Sequence, residues 1–268
     1  MVYNTGETPE ELKAKYNSEG SLLRRAQLRM LEMLHFLNSV CKENNIKFCL
    51  EAGNVLGSVR HGGFIPWDDD VDVIMEREDY NRFIECMKKI HHPQFVLQTR
   101  QTDEGYYGTW VVLRDLKSEY IQDTVLHNLR KYRGLQIDIF PIQRGPIGFL
   151  CTFSRWAICF QNKYLLGHNR LLVGTYSFIM NDVLFPVFRM LSSVFGNKRY
   201  FSYEYGHYHF PKFTYSDVFP TKDLVFEGET VPGPCHIDNY LRSLYGDYMQ
   251  LPPVEKRVWH NAKYRIWD

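Results

Sequence analysis

The sequence predicts a mixed α+β fold, in which a β-sheet core is flanked by helices and an additional helical subdomain follows. Helix and strand patterns mix within the first 143 residues, which favours one sheet covered by helices. The next fifty residues contain only five charged side chains, and a hairpin pattern and a helix pattern come after them. We expect four segments: a polar lead-in (1–20), a mixed core (21–145), an apolar, aromatic-rich helical insertion (146–219), and a C-terminal hairpin and helix that pack back on the core (220–268).

Composition narrows the class of protein. The 268 residues are 44% apolar and 15% aromatic, which is enough to bury a core and argues against a disordered chain. The 32 basic and 31 acidic residues leave a net charge of +1, with no long block of like charge. We therefore expect no nucleic-acid partner, because such binding depends on many phosphate contacts.

Apolar spacing defines the elements of the core. Ser21 can cap a helix that runs to about Asn44, and a strand pattern follows at residues 46–50. Glycines then surround a short helix, residues 71–74 form a strand pattern, and an amphipathic helix from Glu76 ends near Ile90. The remaining strand candidates are residues 95–98, 109–113, 119–122 and 135–140.

The apolar segment 146–195 carries a net charge of +3. It is a poor membrane span, because its longest weakly charged stretch contains Asp182 and Pro186 and a span needs about 20 apolar residues. Two interpretations stay open: buried helices of a subdomain, or helices that lie in a membrane interface. An aromatic-rich stretch (200–215), a hairpin (223–231) and a helix (236–248) are expected after it.

Four aspartates lie close together in the sequence: Asp68, Asp69, Asp70 and Asp72, here called the acidic cluster. Four carboxylates within five positions repel one another and need cations or backbone donors. Because strand side chains alternate, Asp70 and Asp72 share a face about 7 Å apart along the chain. Two aspartates beside open space suit Mg²⁺, whose other ligands are water and substrate phosphate. A calcium-binding or solvated acidic loop is the alternative.

Two further stretches fit the same site. Asp138 is the single acid of an apolar strand, where burial without a partner is costly, so it is either a third metal carboxylate or the partner of a nearby arginine. Upstream, a glycine-rich turn and a short helix with Arg60 and His61 offer backbone N–H groups and a cation for phosphate. The alternative role of Arg60 is a structural pairing with the acidic cluster.

Three motifs carry a family resemblance. The run from Gly53 to Val73, with its core Arg60-His61-Gly62-Gly63-Phe64-Ile65-Pro66-Trp67-Asp68-Asp69-Asp70-Val71-Asp72, resembles the signature of the LicD family. Residues 137–141 resemble the second motif of that family, and the blocks within 226–253 resemble its C-terminal region. LicD proteins are choline-phosphate transferases of bacterial surface polysaccharides, and the fukutin-related proteins of animals are similar and handle ribitol phosphate.

The resemblance implies a nucleotidyltransferase-like catalytic core and an enzyme that transfers phosphorus-containing groups. Family members take a phospho-substituent, typically phosphocholine, from a CDP-linked donor and place it on a sugar hydroxyl. The implied catalytic residues are Asp70, Asp72 and Asp138, which are also the implied ligands of Mg²⁺, with Mn²⁺ as the alternative. Asp138 either shares the metal or accepts the proton of the acceptor hydroxyl. The expected substrate-binding residues are Gly53, Asn54, Gly57, Ser58, Arg60, His61, Trp67 and Arg114.

Several of these residues also have a purely structural interpretation. Asn54 stands where the family usually has a small hydroxyl residue, Arg114 can instead pair with Asp115, and His61 fits local hydrogen bonding better than general base catalysis. A quaternary ammonium needs aromatic faces, and the candidates are Trp67, Tyr106, Tyr107 and Trp110. A place in the core or in a lid is the favoured interpretation of these four.

Three functional hypotheses stay open. The first is transfer of phosphocholine, phosphoethanolamine, a phosphonate or ribitol phosphate from CDP to a glycan, such as a teichoic acid, lipopolysaccharide or capsule precursor, lipid-linked or free. The second is nucleotidyl transfer from CTP to a small alcohol, and the third is a membrane-associated scaffold. Six cysteines without a C-x-x-C pair and a polar N-terminus predict a cytoplasmic protein. Peripheral contact with the inner face of the plasma membrane would involve residues 146–195.

Overall fold

The computed structural model describes residues 3–121, 124–167, 169–257 and 263–267, except the side chain of residue 126. Within these residues, seven strands form one mixed sheet in which β1, β2, β6, β4 and β3 are successive neighbours. In addition, β7 pairs with β6, and β8 pairs with β7. The strands of this sheet are β1 (Cys49–Leu50), β2 (Asp72–Glu76), β3 (Phe95–Gln98), β4 (Val111–Asp115), β6 (Gln136–Arg144), β7 (Tyr200–Tyr203) and β8 (Phe213–Thr214). Strand β5 (Ser118–Ile121) lies outside it.

Strand β6 organises the sheet. It pairs in parallel with β2 and antiparallel with β4 and β7. Ile137, Ile139 and Ile142 are buried on it, which is the pattern of a strand covered on both faces. The mixed α+β fold predicted from the sequence is confirmed, with strands within about two residues of most of the expected positions.

Helices cover this sheet. Helix α2 (Leu22–Glu43) is capped where the Ser21 hydroxyl accepts a hydrogen bond from Arg24 N, and its buried side chains include Met30, Leu34 and Leu37. The helices before the helical layer are α1 (Pro9–Tyr16), α2 (Leu22–Glu43), α3 (Ala52–His61), α4 (Arg77–Met87) and α5 (Val125–Leu129).

The helical layer begins after β6. It consists of α6 (Gly148–Phe160), α7 (Arg170–Phe178) and α8 (Phe185–Phe195), with π-helical turns at Gln161–Leu165 and Ile179–Leu184. Its own small core contains Leu150, Ile158, Met180 and Phe185 together with Tyr205. Residues Arg170–Phe195 form one continuous helix, counting the π-helical turn. This helix is long enough and apolar enough to cross a membrane, although 28% of its most apolar window is buried.

The expected helical insertion 146–219 is helical only in its first part. Residues 200–203 and 213–214 form β7 and β8, which join the central sheet. Phe201 and Phe213 are buried there against the core, so apolar side chains at the sheet edge override a helical conformation. A short helix, α9 (Tyr215–Val218), follows them.

Segments near both ends of the chain pack on the core. In the lead-in, α1 begins with a capping box between Thr8 and Glu11, and Tyr3 and Leu12 are buried, so this stretch is more than a polar arm. The expected hairpin is formed by β9 (Lys222–Phe226) and β10 (Glu229–Gly233), and α10 (Ile237–Tyr245) ends at Gly246. A strand that the sequence did not predict, β11 (Lys263–Ile266), pairs with β5. Residue 122, the end of the predicted strand 119–122, lies outside the described residues.

Candidate active site

The parallel pairing of β2 with β6 brings two distant aspartates together. Asp72, the first residue of β2, is the register partner of Asp138 on β6. Asp70 precedes β2 by two residues and lines a cavity together with Asp138. The three acids assigned from the sequence therefore meet at one place, although Asp72 and Asp138 are 66 positions apart in the chain.

Asn54 braces the backbone of the acidic cluster. Its Nδ2 donates to Asp70 O at 3.0 Å, and its Oδ1 accepts a hydrogen bond from Asp72 N at 2.7 Å. The side chain is buried, so the structure gives Asn54 a positioning role in place of the substrate contact expected from the sequence. Gly53, beside it, leaves room for the Asp68 carboxylate, whose Oδ2 would lie 3.1 Å from an added Cβ.

Two of the three acids, Asp72 and Asp138, have a raised pKa. Burial holds the pKa of Asp72 well above its usual range, and the negative charges of Asp70 and Asp138 add to the effect. Burial also raises the pKa of Asp138, although Trp110 Nε1 donates a hydrogen bond to its Oδ1 at 2.7 Å and Gln136 Nε2 donates one to its Oδ2 at 2.5 Å. Like charges that raise one another's pKa are stabilised by a bound cation.

This donor set fits a hard divalent cation. Within the described residues, no group of three His, Cys, Asp or Glu side chains converges closely enough to hold a metal alone. Mg²⁺ is commonly held by one or two carboxylates and by substrate phosphate, so Asp72 with Asp70 or Asp138 suffices for it.

The carboxylates face arginines across a cavity of about 230 Å³. The side chains that line it are Asp69, Asp70, Arg114, Tyr120, His127, Arg130, Leu135, Gln136 and Asp138. A larger cavity of about 410 Å³ lies beside α4 and β3, but none of the acidic cluster lines it. The smaller cavity is therefore the candidate active site.

Arg114 and Arg130 form the basic side of this cavity. Arg114 is held on β4 by hydrogen bonds from its Nε to Gln98 Oε1 and from its Nη1 to Gly134 O. Burial lowers its pKa to about 10, which still leaves it charged at neutral pH. Arg130 Nε is buried and has no hydrogen-bond partner in the described part of the chain. A buried N–H donor of this kind fits a phosphate oxygen.

The short helix α3 supports the site without lining the cavity. Arg60 Nη1 donates to Tyr248 O at 2.8 Å and to Gln250 O at 3.1 Å, so its guanidinium anchors the C-terminal region and not a phosphate. His61 accepts a hydrogen bond from Arg60 Nε, and burial with the Arg60 charge lowers its pKa to about 3, which keeps it neutral. The expectation that Arg60 and His61 bind substrate is not met by these contacts.

Ser58 and Gly57 also have structural partners. The Ser58 hydroxyl donates to Val225 O of the hairpin, and an added Cβ at Gly57 would overlap the carbonyl oxygen of Gly63. These two residues were expected to bind substrate, but they instead fasten α3 to the hairpin and to the loop before the acidic cluster.

Three of the four aromatic candidates for a quaternary ammonium have other partners, and the fourth, Tyr107, is half-buried in the lining of a separate cavity beside α7. Trp67 is 8% exposed and packs edge-on against Tyr16, and Tyr106 is buried with its hydroxyl on Trp110 O. Trp110 binds Asp138 and lies in an aromatic group whose other rings are Phe140, Tyr203 and His207. The structural interpretation therefore holds for Trp67 and Tyr106, while Trp110 acts on the site through Asp138.

Sequence reasoning missed several residues of the site. Glu51 is 1% exposed, accepts a hydrogen bond from the Tyr240 hydroxyl at 3.0 Å, and has its pKa raised to about 7 mainly by burial. Gln136 could have been found, because it shares a strand face with Asp138 at a spacing of two residues. Arg130 has no such signal, since its approach depends on the path of a loop. The hydroxyl of Tyr264 donates to Asp69 and fixes that carboxylate in place.

The sequence of this chain is similar to those of known proteins with a nucleotidyltransferase domain. Residues 45–166 match the LicD/FKTN/FKRP nucleotidyltransferase domain. The lipopolysaccharide cholinephosphotransferase LicD of Haemophilus influenzae is 26% identical over 90% of this chain and 96% of its own length. The mouse ribitol 5-phosphate transferase FKRP is 37% identical over 28% of this chain and 14% of its own length, and an uncharacterized protein of Rickettsia prowazekii is 29% identical over 53% of this chain and 58% of its own length. The similarity to the LicD family therefore centres on the nucleotidyltransferase-domain match over residues 45–166 and extends, through the Haemophilus influenzae relative, over 90% of the chain.

Proposed function

We propose that this protein transfers phosphocholine from a CDP-linked donor to a hydroxyl group of a cell-surface glycan, with release of CMP. The protein is an enzyme that transfers phosphorus-containing groups, as its relatives are. The finer assignment to phosphocholine rests on the relative from Haemophilus influenzae, which aligns with nearly the whole chain. The observation that carries the chemistry is the register pair Asp72 and Asp138 beside Asp70, opposite Arg114 and Arg130.

Each group has a defined part in the proposed reaction. The acceptor oxygen attacks the distal phosphorus of the donor, a new P–O bond forms, and the bond to the oxygen of CMP breaks. Asp138, whose pKa is raised by burial, accepts the proton of the acceptor hydroxyl. Arg114 and Arg130 bind the negative charge of the departing CMP.

Asp70 and Asp72 would hold Mg²⁺, with Mn²⁺ as the alternative. When bound, the cation supplies neutralisation of charge on the donor's pyrophosphate. Asn54 keeps the backbone of Asp70 and Asp72 in place, and Trp110 with Gln136 keeps Asp138 oriented towards the cavity. We propose that the reaction takes place in the cytoplasm, where nucleotide-linked donors are made.

The test is CMP release by the purified protein with CDP-choline and a glycan acceptor. Asp72→Asn and Asp138→Asn keep the side-chain shape and remove the charge, and we expect each to lower kcat by about 10²- to 10⁴-fold. Asp223→Asn, on the exposed side of β9, is the matched control and should leave the rate unchanged. A near-wild-type rate in the Asp72 or Asp138 variant would refute the assignment.

The same assay separates the alternatives. A panel of CDP-linked choline, ethanolamine and ribitol distinguishes the transferred group. Pyrophosphate release from CTP in the presence of a small alcohol would establish nucleotidyl transfer instead. No product from any donor would favour a scaffold that retains the fold.

A further inference from the structure

One side of the helical layer is apolar and open. Thirteen of the twenty-three large apolar side chains that are exposed in the described part of the chain lie between residues 149 and 195. Among them, Phe149 is 73% exposed, Leu171 is 77% exposed and Phe195 is 74% exposed. Monomeric proteins seldom leave an apolar patch of this extent without a partner.

The exposed residues lie on α6, α7, α8 and the π-helical turns between them, and the surface that they present is here called the apolar face. Along α7 and α8 they recur at helical spacing on the side opposite the buried Val173, Met180 and Phe185. The ring of Phe153 on α6 lies 5.6 Å from the ring of Phe188 on α8 and joins the two helices. The face is built mainly from Trp156, Leu172, Ile179, Val183, Met190 and Val194.

The charges of this layer are almost all positive. Arg155, Lys163 and Arg170 are exposed on it. The single acid of residues 146–195, Asp182, is bound by Arg100 of the core through contacts of 2.7 and 2.9 Å. A second copy of the chain on this face would bring like charges together, whereas anionic lipid headgroups complement them.

The geometry favours a helix that lies flat. The ion pair of Asp182 with Arg100 joins the middle of Arg170–Phe195 to the core. Phe185 is buried, and Ser192 near the far end bonds to the hydroxyl of Tyr205. A helix fastened at these points cannot cross a bilayer without losing all of them.

We propose that the apolar face docks on the surface of an anionic lipid bilayer, with its side chains at the boundary between headgroups and acyl chains. This proposal does not depend on the transferred group or on the metal. In such a position Trp156 enters the bilayer boundary, and Arg155, Lys163 and Arg170 lie among the headgroups.

The test uses the full chain and sedimentation with vesicles of phosphatidylcholine, with or without a large share of phosphatidylglycerol. We expect binding to the anionic vesicles and a fall of about fivefold in affinity for each of Arg155, Lys163 and Arg170 replaced by glutamine. Replacement of Lys47, Lys88 and Lys117, which lie outside the layer, is the matched control and should change affinity far less. Trp156 fluorescence should shift to shorter wavelength on binding, and the Trp156→Phe variant should lack this shift.

A second set of variants tests the apolar contribution. Replacement of Leu171, Met190 and Val194 by serine should abolish binding. Replacement of Val225 and Val254, which are exposed but lie outside the helical layer, should not. Circular dichroism of each variant shows whether it remains folded. Absence of vesicle binding by the wild-type protein would overturn the proposal. So would a stable dimer dispersed by the same serine substitutions, or retention in vesicles after alkaline extraction, which would indicate a spanning helix.

Discussion

Glu51 illustrates what burial does to a single acid beside the acidic cluster. Its carboxyl is enclosed by the core, accepts a hydrogen bond from Tyr240, and has its pKa raised from 4.5 to about 7. The folded protein therefore holds this proton more firmly than the unfolded chain does. Its contribution to the free energy of unfolding is largest below pH 4.5 and is lost as the pH rises to about 7.

We expect Glu51→Gln to remove this dependence on pH. Without divalent cations, the variant should match the wild type near about pH 4 and exceed it near about pH 8 by up to about 3 kcal/mol, since one pKa unit corresponds to about 1.4 kcal/mol. Urea unfolding across this range measures the difference. The exposed Glu255→Gln is the control, and parallel curves for Glu51→Gln and wild type would contradict the prediction.

Asn54 gives a second prediction at this scale. Asn54→Ala removes the partner of two backbone groups, Asp70 O and Asp72 N, so we expect a loss of about 1–3 kcal/mol of stability and a lower kcat with little change in the affinity for donor. Asn54→Asp keeps the acceptor for Asp72 N but not the donor. Denaturation and steady-state kinetics measure the two effects, and full activity in Asn54→Ala would show that the brace is dispensable.

Some contacts of the site residues follow from the sequence, and others depend on the fold. Asp70, Asp72 and Asp138 could be grouped from the sequence, because closely spaced carboxylates repel one another and a lone acid in an apolar strand is costly to bury. Arg60 was expected to bind phosphate, whereas its hydrogen bonds in the structure go to carbonyl groups of residues 248 and 250, nearly 190 positions away. No local pattern shows which backbone oxygen an arginine will reach.

At the scale of elements, α3 depends on close backbone contact. Gly57 faces the loop before the acidic cluster, where a Cβ would overlap Gly63 O and approach Ile65 N to 3.1 Å. We expect Gly57→Ala to destabilise the protein by about 1–3 kcal/mol, because the loop must move away. Gly174→Ala, on the open side of α7 with nothing within 4 Å, should stabilise it by about 0.5–1 kcal/mol. Thermal unfolding of both variants tests the contrast, and similar shifts in Tm would contradict it.

Elements defined by short-range periodicity were predicted well. The helices α2 and α4, the strands around residues 72 and 138, and the C-terminal hairpin all follow from apolar spacing and turn residues. The assignments failed where pairing decides the conformation. Residues 200–203 become a strand because β6 offers them an edge, and residues 213–214 pair with that strand in turn. Strand β11 likewise exists because β5 offers it an edge.

For the whole molecule, Glu204 joins the helical layer to the sheet. Its buried carboxylate is bound by Arg77 of α4 and lies 3.4 Å from Arg189 of α8. We expect Glu204→Gln to cost about 3–5 kcal/mol, because two arginines lose their counter-charge in a partly buried place. Asp182→Asn breaks a more exposed pair and should cost less than about 1 kcal/mol. Chemical denaturation of both variants provides the comparison, and equal losses would contradict it.

The contact of Tyr264 with Asp69 sets an order of events during synthesis. A growing chain folds from its N-terminal side, so the sheet with Asp72 and Asp138 can assemble before residue 264 has been added. The contact between Tyr264 and Asp69 forms when β11 pairs with β5 and brings Tyr264 to the site. An incomplete chain on the ribosome would therefore hold the paired aspartates before Asp69 gains its contact with Tyr264.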